Sequence, residues 1–225
     1  MSGRVDPRRR RVALGVPAVL VLAGSGCGSL GGDTPAPVWY LLEDLGPAAA
    51  PAAGGQPIAQ PIARPIAQNL LVAPVLASSF DDSVMLAYGR AANTRAHYKF
   101  AGWTERPARR IGLLVERRLE GRARFASVAQ STAGVRGDLM LNLSLEHLYH
   151  DVSSSPGRAR VALIAELLHW RDRVLLARRS FERTAPVARE AADAAVDATN
   201  RAFSALLDDL CPWVEETAAR APAAG

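Results

Sequence analysis

Leu139-Met140-Leu141-Asn142-Leu143-Ser144-Leu145-Glu146 decides the fold, because leucine returns at every second position across it. In a β-strand successive side chains point to opposite faces, so the four leucines share one face and Asn142, Ser144 and Glu146 lie on the other. A one-residue slip would turn all four leucines toward water, and this fixes the register of the strand. One apolar and one polar face mark a sheet covered on one side only.

Downstream, residues 161–170 and 174–183 flank Arg171-Asp172-Arg173 and read as a hairpin. Upstream, residues 84–90 and 95–100 flank Ala91-Ala92-Asn93-Thr94 in the same way, and residues 69–76 and 38–42 are further strand candidates. Thr104 is placed to cap a helix whose Ile111, Leu114, Val115 and Leu119 recur at helical spacing, with Gly121 as its stop. The opposite side of that helix carries Arg109, Arg110, Glu116, Arg117 and Arg118, expected as a solvated face. Ala191, Ala195, Ala198, Ala202, Leu206 and Leu210 place a second, long helix over residues 186–214, with Pro212 near its end. Together these elements predict an α+β fold, a mostly antiparallel sheet with two main helices packed on one side.

The N-terminal region has a different character. Arg4 and residues 8–11 form a positive segment, and residues 12–24 are apolar. That stretch is too short for a bilayer-spanning helix, which needs about 20 residues, but fits the hydrophobic part of an export signal. Gly24, Ser25 and Gly26 then lead to Cys27. This arrangement resembles a bacterial lipobox, which implies a signal peptide over residues 1–26 and lipidation, with palmitate among the acyl groups, at Cys27. Ordinary secretory cleavage that leaves a free thiol is the competing reading.

Residues 27–67 read as a tether that holds the short strand and an Ala/Pro-rich insert. Within the insert the tetrapeptides Gln56-Pro57-Ile58-Ala59, Gln60-Pro61-Ile62-Ala63 and Arg64-Pro65-Ile66-Ala67 repeat. Proline lacks the N–H that a sheet ladder requires, so an extended, polyproline-like loop is expected there. Residues 68–216 then form the domain core and residues 217–225 a disordered tail.

Charge narrows the function. The chain carries +5, but residues 1–26 supply most of it, and without them the net charge is +1. A nucleic-acid binder is expected to keep its positive charge in the folded domain, so nucleic acid is not a partner. Cys27 and Cys211 are the only cysteines, which excludes a disulfide-stapled scaffold.

Chemistry-bearing motifs are missing: there is no P-loop, no G-x-S-x-G and no H-E-x-x-H, so no catalytic residue is assigned. His147, His150 and Asp151 are the nearest thing to a metal cluster, but their spacing matches no zinc pattern. No metal or other cofactor is expected. Trp39, Trp103, Trp170 and Trp213 read as core and lid residues at element ends, with an apolar cargo path as the alternative.

The motifs in their order resemble the ABC-type transport auxiliary lipoproteins, the outer-membrane lipoprotein components of paraquat-inducible and other MCE-type lipid-transport systems. The resemblance runs through Trp39-Tyr40-Leu41-Leu42, Leu70-Leu71-Val72-Ala73-Pro74-Val75, Tyr88-Gly89-Arg90, Tyr98 and Gly102-Trp103-Thr104-Glu105-Arg106-Pro107. It continues with Arg124-Phe125-Ala126-Ser127-Val128, Gly137-Asp138-Leu139 and Arg179-Ser180-Phe181, and covers residues 38–214. It implies a non-catalytic accessory subunit held at the outer membrane by its lipid and facing the periplasm. Its implied partners are a periplasmic MCE-domain protein and an ABC permease system, and it leaves room for a homo-oligomer. Gly28, where an aspartate would signal retention, agrees with outer-membrane delivery. The alternative is an envelope assembly or chaperone-like lipoprotein with no link to a transporter.

Overall fold

The computed structural model describes residues 35–46 and 65–221. The chain from Pro35 onward forms one compact unit that holds every residue of the core. The expected signal peptide, Cys27, most of the Ala/Pro insert and residues 222–225 lie outside the described residues.

The leucine strand is β7 (Leu139–Asp151), and Leu139, Leu141, Leu143 and Leu145 are all buried in the core. On its other face Asn142 and Ser144 are half-buried and Glu146 is exposed, although Met140 is covered. The strand outlasts the alternation. Pairing with β8 (Arg158–His169) shifts between Leu145 and His147, a bulge that reverses the phase so that Leu148 turns into the core. β9 (Val174–Pro186) continues this antiparallel ribbon, its turn closed by Arg173 in the left-handed region at φ 56°.

The sheet is not mostly antiparallel. β2 (Ile66–Val72) runs parallel both to β7 and to β6 (Phe125–Gln130), and β3 (Leu76–Ala77) and β4 (Met85–Gly89) are also parallel to β7. β1 (Val38–Tyr40) is parallel to β5 (Ala96–Trp103), while β4 and β5 form the expected antiparallel hairpin. A hairpin announces itself by a local turn. Parallel neighbours need a long crossover, which leaves no mark at the strands themselves. β6, which no alternation announced, closes one side of the sheet beside β2.

Helix α1 (Pro107–Gly121) buries Ile111, Leu114, Val115 and Leu119 and ends where expected. Thr104 does not cap it. With Pro107 in the first turn, the Ala108 N–H is accepted by Asp82 Oδ1 at 3.0 Å, from the loop before β4. Helix α2 (Ala192–Arg220) starts later and ends later than expected. Pro186 belongs to β9, and residues 217–220 are helical rather than part of a tail. Val214 and Ala218 extend the apolar stripe at i+4 and i+8 from Leu210. Helix α1 packs on β6 and β2, helix α2 on β8, β9 and β7, and both join one core cluster with the β7 leucines.

Two parts of the expected tether belong to the domain. Ile66 is buried and its N–H bonds to Arg124 O at 2.7 Å, so the third tetrapeptide repeat ends inside β2. Residues 41–46, following β1, run across the helices with Leu42 in the core.

Candidate functional site

Residues 41–46 carry the densest polar chemistry in the described structure. The Glu43 N–H donates to Asn200 Oδ1 at 3.1 Å and the Leu45 N–H to Ser204 Oγ at 2.8 Å, both on α2. Between them Asp44 accepts from Arg118 Nε at 2.6 Å and from the other arm of the same guanidinium. Arg118 Nη1 also reaches Asp208 Oδ1 of α2 at 2.7 Å. One turn on, Arg122 holds Glu215 through two bonds of 2.5 and 2.9 Å. A single guanidinium thus joins the N-terminal segment, α1 and α2, in the planar fork geometry that suits carboxylates.

Burial pulls Asp44 toward a raised pKa, but the hydrogen bonds from Arg118 and the Gly46 N–H outweigh it and hold the carboxyl below its ordinary value. Arg118 moves up, chiefly through its bond to Asp44. Both groups are therefore charged across the physiological range.

An open groove of about 550 Å³ runs beside this network, lined by Glu43, Asp44, Arg110, Leu114, Arg117 and Arg122 among others. Its arginines are mostly engaged: Arg110 Nε donates to Leu42 O at 2.8 Å, and Arg122 is held by Glu215. Beneath it burial pushes the Cys211 thiol up to about 12, so that the sulfur stays protonated and is a poor nucleophile. The groove offers ion pairing and shape, without an activated nucleophile.

The other residues singled out by sequence are scattered. His150 is buried, with Nδ1 2.6 Å from Tyr98 Oη and Nε2 2.8 Å from Pro156 O. Both ring nitrogens are thus committed to structural bonds, and burial raises Tyr98 to about 12. His147 meets the Tyr149 ring edge-on instead. Among the described residues no three His, Cys, Asp or Glu side chains stand together as a metal site. Trp103 is core, Trp213 packs on Phe181 with ring centroids 5.5 Å apart, Trp39 lies over Gly102, and Trp170 stands at the β8–β9 turn. They line no common path.

The arginine face of α1 divides. Arg109 and Arg117 are exposed as expected, whereas Arg118 is 8% exposed and inside the ionic network. Its position carried the signal: Arg118 follows Leu114 by four residues and Val115 by three, and so sits on the apolar stripe. Glu215, four residues after the buried Cys211, carries the same signal on α2.

The network spans the chain from Asp44 to Glu215, and a family model, that of the ABC-type transport auxiliary lipoprotein component, matches residues 40–211. The chain belongs to this family of ABC-type transport auxiliary lipoproteins. No curated protein matches it. Among solved structures this auxiliary lipoprotein is similar to protein XCC0632 from Xanthomonas campestris, a DUF330 protein. That match has 22% identity and a TM-score of 0.70, over 81% of this chain and 98% of that one. It is also similar to an uncharacterized protein at 10% identity and a TM-score of 0.60, over 80% of this chain and 99% of that one. At these identities the likeness is one of fold. Among the described residues of the auxiliary lipoprotein no helix is long and apolar enough to cross a membrane.

Proposed function

We propose that this chain is a non-catalytic accessory subunit of an MCE-type ABC system that moves lipids or other hydrophobic molecules across the cell envelope. In this reading Cys27 carries the lipid that holds the domain at the outer membrane, facing the periplasm. The folded unit docks a periplasmic MCE-domain protein, which links it to the ABC permease.

The observation that carries the reading is the family match over residues 40–211, which takes in β2 to β9, α1, most of α2 and the ion pairs of Arg118 with Asp44 and Asp208. The geometry supports a contact role, since its densest polar cluster is a set of closed ion pairs with no activated nucleophile beside it.

The decisive measurement is calorimetric titration of the unit from Pro35 onward against a purified periplasmic MCE-domain protein of the same organism. Saturable binding is the expected result; no heat at high micromolar concentration overturns the docking role. The anchor is tested separately by metabolic labelling with a palmitate analogue. Label is expected on the wild type and not on Cys27→Ser, and equal label on both removes Cys27 as the acylation site.

A further inference from the structure

At the end of the sheet where β7 begins, the turn between β8 and β9 exposes side chains that packing does not require. Trp170, Val174 and Leu175 are 40%, 53% and 51% exposed. The loop before β7 adds Val135 at 51% and is joined to the turn by the Trp170 N–H, which donates to Asp138 O at 2.8 Å. Single exposed apolar residues are ordinary, but four at one turn, the strand start that follows it and the adjoining loop are informative.

The charges around them are mostly positive. Arg136, Arg171 and Arg173 are exposed, and the Arg173 guanidinium carbon lies 5.7 Å from the Trp170 ring centroid. The one acid of the turn, Asp172, lies 2.9 Å from Nδ1 of the buried His169 while its side chain stays 68% exposed, so the three arginines outnumber it. Arg171 leans back toward Asp138 at 3.6 Å, a weak contact that an outside anion can replace. β8 and β9 stay paired up to His169 and Val174, so the turn closes the very end of the ribbon.

We propose that this tip inserts into an anionic phospholipid surface, with Trp170, Val174, Leu175 and Val135 entering the interfacial layer and the three arginines meeting phosphate headgroups. A strand-end turn that exposes an indole and aliphatic side chains beside three arginines matches such a surface in polarity and in charge. Indole favours the membrane interface, and each cation near an anionic leaflet adds about 1 kcal/mol. The inference goes beyond the docking role and depends neither on Cys27 nor on a transport partner.

The test is sedimentation of the unit from Pro35 onward with phosphatidylglycerol/phosphatidylethanolamine vesicles at about 0.1 M salt, where surface electrostatics are not exaggerated. Pure phosphatidylcholine vesicles serve as the control. The wild type is expected to prefer the anionic vesicles, with a blue shift of tryptophan emission that Trp170→Ser abolishes. Arg171→Gln with Arg173→Gln should weaken binding about thirtyfold, which is two arginines at the increment above. Trp170→Ser with Leu175→Ser should weaken it on both vesicle types. All four positions are exposed, so circular dichroism should match the wild type in each variant. Failure of the wild type to bind anionic vesicles overturns the proposal, as does binding unchanged in both double variants. Loss of MCE-protein binding in these variants, with no vesicle binding by the wild type, would assign the tip to a protein partner and equally overturn it.

Discussion

Arg118 holds two carboxylates from different parts of the chain, so its removal leaves Asp44 and Asp208 facing each other without their shared cation. Arg118→Met is expected to cost about 3–5 kcal/mol, the range for breaking one side of a buried ion pair, as read from urea unfolding. The pH dependence follows from the carboxyl. Because folding lowers Asp44 below its ordinary 3.8, its contribution is fully present above that value and fades as pH falls through the folded pKa. Melting curves below about pH 4 should therefore drop more steeply for the wild type than for Asp44→Asn. Gly102 answers to a different constraint. A Cβ there would lie 2.6 Å from both the Trp39 ring and the backbone oxygen of Val84, so Gly102→Ala should lower the melting temperature by displacing β1 or the start of β4.

Elements test the faces. Leu141→Asp puts an unpaired carboxylate in the core and should cost several kcal/mol, near the whole stability of a domain of about this size. Asn142→Asp, on the other face, meets Glu166 across the ladder and should cost about 1 kcal/mol or less by thermal melt. At α1, Asp82→Ala should lose about 1 kcal/mol of capping while Thr104→Ala loses little. These contrasts mark what could be read in advance. The leucine alternation, both hairpins and the stripe of α1 were legible because their periods and turns are local. The cap from Asp82, the bulge at Glu146 and the parallel partners of β2 were not, since each depends on residues distant in sequence or on a register slip with no compositional trace. The ionic network was half legible: Arg118 and Glu215 interrupt apolar stripes, but nothing near Asp44 names its partner.

For the whole molecule, the boundary of the Ala/Pro insert can be located by deletion. Removing residues 56–63 should change stability by well under about 1 kcal/mol, the scale of loop-closure entropy. Extending the deletion through Ala67 also removes the first two residues of β2, buried Ile66 among them, and should cost several times more in the same melt. The donors of Glu43 and Leu45 impose a different condition, one of timing. Their acceptors lie 157 and 159 residues further along, in α2. A chain released for folding from its N-terminus must hold this segment unlatched until its last helix arrives, however early the hairpins close. In pulse-labelled hydrogen exchange during refolding, the amides of residues 43 and 45 should gain protection together with α2 and after β7 and β8. Asn200→Ala combined with Ser204→Ala should leave residues 41–46 open to proteolysis while the sheet stays protected. The domain is in this sense fastened last where it began.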